Sequence, residues 1–105
     1  MILVSWIFDL LAGFNEDWKK TDKPYFTPPA LKSMRTHQIS QEDVLWVFNH
    51  PDHEESLAQD RPNEFKYKRT KQYQDWVYVV ICAWHQDFND WSIISSWKYR
   101  LGKHR

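Results

Sequence analysis

Residues 76–85 read WVYVVICAWH and residues 91–99 read WSIISSWKY, with the polar stretch QDFND between them. The first run is apolar at odd and even positions alike, which is typical of a strand buried on both faces. The second run alternates, with Trp91, Ile93, Ser95, Trp97 and Tyr99 on one predicted face and Ile94, Ser96, Lys98 and Arg100 on the other. We therefore expect an antiparallel pair of strands joined by a turn at residues 87–90, the first strand being central in a sheet.

A third strand is predicted upstream of this pair. In FKYKRTK, residues 65–71, the side chains of Phe65, Tyr67 and Arg69 alternate with those of Lys66, Lys68 and Thr70. This period of two indicates a strand whose two faces differ in character. Residues 52–63 are polar and contain Pro62, so they predict a long loop or a frayed strand.

The sequence before these strands contains two helix starts. For the first, Thr27 is a typical N-cap, and Pro28 suits the first helical position because its missing N–H costs nothing there. A helix is predicted over PPALKSMRTHQ, with Leu31 and Met34 facing inward. Residues 25–27 can form a short strand before it.

The second helix start is the clearest local signal in the chain. Ser40 is the N-cap and Asp43 stands three residues later, while Ile39 and Val44 occupy the two hydrophobic-staple positions. The helix is expected to run through VLWVF and to stop at residues 50–51. Its buried side chains are expected to be Val44, Val47 and Phe48.

Together these elements predict an α+β domain over residues 25–105, in which two helices pack on a three- to four-stranded antiparallel sheet. Residues 1–24 are expected to form an extra N-terminal helix and a linker. The stretch MILVSWIFDLLAGF is apolar nearly all round but shorter than the roughly 20 residues of a membrane-spanning helix, so no transmembrane segment is predicted. Through Ile2, Trp6 and Leu10 this helix can dock on its own sheet, on a second copy of the chain, or on a membrane surface.

Charge is segregated along the chain, although 14 Lys and Arg residues balance 14 Asp and Glu residues. Residues 42–60 hold six acidic side chains and no Lys or Arg, whereas residues 61–71 hold five basic side chains and one acid, Glu64. Residues 98–105 hold four more basic side chains and no acid. If the strands pair as predicted, the two basic clusters can share one face or rim of the sheet and attract phosphate.

The sequence contains one cysteine, Cys82, so it can form neither an internal disulfide nor a thiolate zinc site. The N-terminus lacks the basic region and the cleavage site of a signal peptide. We therefore expect a cytoplasmic protein. Cys82 lies in an apolar run, which favours a buried hydrophobic side chain over a nucleophile.

The candidate catalytic residues are few. The sequence has no phosphate-binding glycine loop, metalloprotease helix motif or cysteine-based metal spacing, so no cofactor or metal is expected. His85 ends the central strand, where an imidazole can act as general base or general acid in RNA cleavage, or can form an ordinary hydrogen bond at a strand end. Lys66 and Lys98 are the candidate catalytic cations, although lysines also protect edge strands from aggregation. The candidate RNA-binding residues are Lys68, Arg69, Arg100 and His37.

The order of these motifs resembles a group of small bacterial domains. YFTPPALKSMRTHQIS-QEDVLWVFNHPD, then the basic strand, then VYVVICAW and WSIISSWK are similar to domains related to BrnT and the RelE/ParE toxins, including a related family of unknown function. The matching positions are Phe26, Thr27, Ala30, Leu31, Met34, Ile39, Ser40, Asp43 and Val44. The resemblance covers roughly residues 25–99. It implies a helix–helix–sheet fold, metal-independent endoribonuclease activity in the toxin members, and an antitoxin-like partner.

Two functions therefore stand as alternatives. In the first, the domain is a small ribonuclease toxin in which Lys66, Lys68, Lys98 and Arg100 bind phosphate and His85 transfers protons. In the second, it is a catalytically silent domain that dimerises or binds a partner through its N-terminal helix. The clustered cations favour the first function, and the zero net charge favours the second.

Overall fold

The computed structural model describes Thr21 and residues 23–102 of the chain. The elements, in chain order, are β1 (Tyr25–Phe26), α1 (Pro28–His37), α2 (Gln41–Asn49), β2 (His53–Ser56), β3 (Glu64–Tyr73), β4 (Trp76–His85) and β5 (Asp90–Arg100). The predicted N-terminal helix, with Ile2, Trp6 and Leu10, lies outside the described residues. No helix in the described part of the chain is both long and apolar enough to cross a membrane.

The five strands form one mixed sheet in the order β1-β5-β4-β3-β2. The α+β class, the two helices and the central position of β4 are confirmed, but the prediction of a purely antiparallel sheet of three to four strands is wrong. β1 adds a short parallel pairing to β5, with Tyr25 opposite Ser92. β2 is polar and none of its four residues is buried, so it carries no hydrophobic pattern. It pairs with β3 by placing Glu54 opposite Arg69.

Both helices begin as the sequence predicts. The Thr27 hydroxyl accepts a hydrogen bond from the Ala30 N–H at 3.2 Å, and Pro28 is the first residue of α1. At α2 the Ser40 hydroxyl accepts from the Asp43 N–H at 3.0 Å, while the Asp43 carboxylate accepts from the Ser40 N–H. These side chains satisfy backbone donors that have no partner within the helix.

The hydrophobic core lies between the two helices and one face of the sheet, which we call the helix face. Val44, Val47 and Phe48 of α2 are fully buried there, as predicted, against Val80 and other side chains of β4 and β5. Trp91 lies at the centre, with the Phe48 ring 5.3 Å away at an angle of 80°. Burying an aromatic side chain of this kind contributes about 3 kcal/mol to stability. The opposite side of the sheet carries His85 and also the buried residues Val79 and Ala83. We call it the open face, because the core that the two described helices form lies on the other side.

A β-bulge changes which side chains of β5 face the helices. Ile93 pairs with Cys82 and Ser95 pairs with Ile81, so Ile94 is an extra residue between two paired positions. Beyond the bulge the alternation is reversed, and Ser96, Lys98 and Arg100 lie opposite Val80, Tyr78 and Trp76 on the helix face. The simple alternation predicted for this strand, which put these side chains on the face away from Trp91 and Ile93, is therefore wrong.

Candidate functional site

Two basic clusters of the sequence meet on the helix face of the sheet, near the hairpin that joins β3 and β4. In one row of paired residues across the sheet, Tyr78 of β4 lies between Lys71 of β3 and Lys98 of β5. In the next row, nearer the turn between β3 and β4, Trp76 lies between Tyr73 and Arg100. We call these six side chains the basic–aromatic surface. A cation therefore stands beside an aromatic ring in both rows. The expectation that the two basic clusters share a face is confirmed for Lys71, Lys98 and Arg100.

Cation–π contacts hold the basic side chains close to the rings. The Lys98 ammonium lies 4.9 Å from the centre of the Trp76 ring and 5.8 Å from that of Tyr78. The Arg100 guanidinium carbon lies 5.8 Å from the Trp76 ring. Distances below about 6 Å give a favourable interaction between a cation and the ring electrons. Both cations are thereby positioned beside apolar surface.

The surface also presents an accessible aromatic ring. Tyr73 is 53 % exposed, and Trp46 of α2 packs against it in a T-shaped contact with 5.7 Å between ring centres. Trp46 makes a second T-shaped contact with Tyr78 at 5.9 Å. Tyr78 is more enclosed, and this desolvation raises the pKa of its hydroxyl. Tyr73 is therefore the ring best placed to stack against a planar ligand.

The cations of this surface differ in how tightly carboxylates hold them. The Lys71 ammonium donates to the His50 carbonyl at 2.8 Å and lies 3.3 Å from the Asp52 carboxylate. These two contacts hold it beside the loop between α2 and β2. Arg100 lies 3.8 Å from Asp75, and both side chains are largely exposed, so this ion pair is weak. Among the described residues, no carboxylate lies within ion-pair distance of Lys98.

His85 lies at the other end of the sheet, on the open face. Its Nε2 atom is 2.7 Å from the Ser92 hydroxyl, and its Nδ1 atom is 3.5 Å from a carboxylate oxygen of Glu64. We call Glu64, His85 and Ser92 the histidine cluster. The imidazole is half-buried and bridges a hydroxyl on β5 and a carboxylate on β3. Such an imidazole can carry a proton between its two neighbours or to a bound ligand.

The histidine cluster borders two adjoining cavities of about 370 and 250 Å³. His85 and Phe88 line both of them. Phe88 is 78 % exposed, and Tyr25, which lines the smaller cavity, is 60 % exposed. The other charged residues of the two linings are Arg61, Asp87 and Asp90, so with Glu64 the acidic side chains outnumber the basic one.

The predicted catalytic residues do not converge. Lys66 lies on the open face two residues from Glu64, but it donates a hydrogen bond to Asp60, which raises the pKa of the Lys66 ammonium and lowers that of the Asp60 carboxyl. Lys98 lies on the opposite face and pairs with Tyr78, seven residues before His85 along β4, which is about 23 Å. Lys66 therefore lies near His85, and Lys98 does not.

The predicted RNA-binding residues are also divided. Arg100 lies on the basic–aromatic surface, and Lys68 lies on the open face opposite Ile81. His37 is exposed at the end of α1. Arg69 is only 2 % exposed, and its guanidinium contacts Glu54 and the Phe48 carbonyl in the core. The structure gives Arg69 a structural role, because its charge cannot reach a ligand at the surface.

Sequence reasoning missed Glu64 and Ser92 as partners of His85. Glu64 stands opposite His85 because β3 and β4 are joined by a two-residue turn after Tyr73. Ser92 pairs with Ala83, two residues from His85 on the same face. Counting residues outward from the two turns finds both positions, but only the second turn, at residues 87–90, has a clear signal in the sequence. Tyr73, Trp76 and Tyr78 were missed because two of the cations beside them, Lys98 and Arg100, reach that face only through the bulge in β5.

The part of the chain that the structure describes contains no group of three or more His, Cys, Asp and Glu side chains placed to hold a metal ion. Comparison of the chain with models of protein families, with curated proteins and with solved structures found no match. The resemblance to the BrnT and RelE/ParE domains therefore stays a prediction.

Proposed function

We propose that this domain binds single-stranded RNA on its basic–aromatic surface. The observation that supports this most directly is the pairing of Lys98 and Arg100 with Trp76 and Tyr78 across β4 and β5. Proteins bind single strands by combining cations that follow the phosphate backbone with aromatic rings on which bases stack. Both kinds of group alternate here within one small area of the sheet.

The two kinds of group have separate tasks. Lys98, which has no carboxylate partner in the described part of the chain, and Arg100, whose pair with Asp75 is exposed and weak, contact phosphates. Tyr73 stacks against a base, since its ring is exposed and Trp46 fixes its orientation. A duplex hides its bases, so we expect single strands to bind more tightly than duplexes of the same length.

The test is fluorescence anisotropy with a labelled oligouridine of about 12 nucleotides, titrated from about 50 to about 200 mM salt. The Lys98→Ala/Arg100→Ala variant is expected to bind more weakly. For this variant, the slope of the logarithm of the RNA-binding constant against the logarithm of the salt concentration should be less negative by about 1.4. Each lost phosphate contact on a single strand removes about 0.7 from that slope. The matched control is Lys23→Ala/Lys32→Ala, which removes two exposed cations elsewhere and should keep the wild-type slope.

The aromatic part of the proposal has its own pair of variants. Tyr73→Ala should lose about 1–3 kcal/mol of binding free energy, the usual contribution of one base stacked on an aromatic ring. Tyr73→Phe keeps the ring and should bind like the wild type. Asp75→Asn frees Arg100 from its carboxylate and should strengthen binding. Equal binding and equal salt slopes in the wild type and the Lys98→Ala/Arg100→Ala variant would contradict the proposal.

Cleavage of the bound RNA, which the resemblance implies, stays a prediction with a separate test. Labelled RNA is incubated with the wild type and with His85→Gln in the presence of a metal chelator, and the fragments are separated on a gel. Fragments that appear with the wild type and not with His85→Gln would support a metal-independent ribonuclease. Intact RNA in both samples would leave a domain that binds RNA without cutting it.

A second candidate function is the catalytically silent interaction domain. The ion pairs of the structure favour it, because carboxylates partly neutralise most of the cations that were candidates for RNA. These pairs are Lys66–Asp60, Arg69–Glu54 and Arg100–Asp75, which involve three of the five candidate lysines and arginines. Absence of RNA binding by folded wild-type protein at low salt would favour this function over the proposed one.

A further inference from the structure

The three polar side chains of the histidine cluster are arranged in a definite order. Glu64 approaches Nδ1 of His85, and the Ser92 hydroxyl approaches Nε2, so each ring nitrogen has one partner. A carboxylate beside Nδ1 favours the neutral tautomer that carries its proton on Nδ1, and in that tautomer the Nε2 lone pair faces the Ser92 hydroxyl. The hydroxyl is thereby placed to lose its proton as it attacks an electrophile.

The arrangement is built on rigid elements. Glu64 opens β3, His85 closes β4 and Ser92 is the third residue of β5, so the three side chains come from three adjacent hydrogen-bonded strands. Backbone bonds also hold the neighbouring loop, since the Gln86 N–H donates to the Asn63 carbonyl at 2.9 Å. Groups fixed on strands keep their mutual geometry better than groups on loops.

The surroundings of the cluster indicate the chemical class of substrate. Glu64, Asp87 and Asp90 outnumber Arg61 around the two cavities, which disfavours phosphates and other anions there. The exposed rings of Phe88 and Tyr25 offer apolar walls. Ser92 is 5 % exposed but lines the smaller cavity, so only a small reactive group can reach it. A small neutral or cationic ester fits these conditions.

We propose that Ser92 is a nucleophile, activated by His85 and positioned by Glu64, that hydrolyses small neutral or cationic carboxylic esters. The Ser92 oxygen attacks the carbonyl carbon, and its proton passes to Nε2 of His85. The bond to the leaving alcohol breaks, and His85 returns the proton to the alcohol oxygen. Water then attacks the acyl-serine by the same route and restores the hydroxyl.

The first test uses a small alkyl fluorophosphonate and the intact mass of the folded protein. The Ser92 oxygen forms a bond to phosphorus, fluoride leaves, and His85 takes the proton, so the expected result is one adduct per chain on Ser92. Ser92→Ala should lose the adduct. His85→Gln should react about 100-fold more slowly, the lower range for loss of a general base. Ser56→Ala, which removes an exposed serine of β2, is the matched control and should react like the wild type.

The second test follows hydrolysis of two p-nitrophenyl esters of similar size, one neutral and one carrying a carboxylate. The neutral ester should react faster in the wild type, and Glu64→Gln should reduce this preference as well as the rate. The urea midpoints of Ser92→Ala and His85→Gln should lie close to that of the wild type, which shows that the variants are folded whether or not the domain binds RNA. Any RNA binding should be the same in these variants as in the wild type, which separates this proposal from the RNA-binding proposal. An adduct on another residue, or equal rates in the wild type and His85→Gln, would overturn the proposal.

Discussion

Arg69 lies in the core although its sequence neighbours Lys68 and Thr70 do not. Its Nε atom donates to Glu54 at 2.7 Å, and its Nη1 atom donates to the Phe48 carbonyl at 2.7 Å, one of the carbonyls left over at the end of α2. The guanidinium also lies 4.5 Å from the Phe48 ring and 4.8 Å from the Trp91 ring. One side chain thus joins β2, β3, α2 and the centre of the core.

The first prediction at the residue scale concerns the charge of Arg69. Glu54→Gln removes the negative charge that faces the buried guanidinium, so it should lower the free energy of unfolding by about 1–3 kcal/mol. The loss is smaller than for a fully buried ion pair because Glu54 is partly exposed. Arg69→Met keeps an apolar side chain in place of the arginine stem, so it should lower the free energy of unfolding less than Arg69→Ala does. Urea denaturation measures all three variants. Equal stability of Glu54→Gln and the wild type would contradict this account.

Residue types alone predicted part of the candidate sites. Lys98, Arg100 and His85 were identified because each is a basic or ionisable residue that lies in or at the end of a strand predicted from the sequence. Glu64 and Ser92 were not, because their importance depends on strand register and not on residue type. Arg69 was assigned to RNA because sequence alternation puts it on a face without showing that α2 covers that face.

At the scale of elements, α2 is the part of the fold that the sequence predicted best. Its capping box involves residues only three positions apart, so the hydrogen bonds follow from local sequence.

The second prediction is that Ser40→Ala lowers the free energy of unfolding by about 1 kcal/mol, because the Asp43 N–H loses its acceptor. Ser56→Ala on exposed β2 is the control and should change stability by less than about 0.5 kcal/mol. Equal losses in the two variants, measured by urea denaturation, would contradict the role of the cap.

Two other elements show why sequence patterns were insufficient. β2 reads HEES and buries no side chain, so its strand character comes from pairing with β3 and from the ion pair between Glu54 and Arg69. The bulge at Ile94 lies in a run of two isoleucines and two serines, where any one residue can be the extra one without changing the pattern. Long-range pairing decides both features, and a single strand does not reveal it.

At the scale of the whole molecule, the groups whose pKa values are raised predict how stability depends on pH. Burial raises the pKa of the Cys82 thiol from 9.0 to about 12, and desolvation also raises the pKa of Tyr67 and Tyr78. The hydrogen bond to Asp60 raises the pKa of Lys66. In each case the side chain binds its proton more tightly in the folded state than in the unfolded state. The contribution of these four groups to stability is therefore fully present below about pH 9 and is lost as pH rises toward 12.

The third prediction follows from the largest of these shifts. The urea midpoint of the wild type should fall between pH 9 and pH 11, and Cys82→Ala should show a shallower fall, whatever its stability at neutral pH, because the unfolded thiol can no longer ionise. The comparison uses the change in midpoint within each protein, so a small cavity left by the lost sulfur does not affect it. The remaining fall in Cys82→Ala should come from Tyr67, Tyr78 and Lys66. Identical pH profiles for the two proteins would mean that Cys82 is not shielded from solvent as the core of this sheet requires.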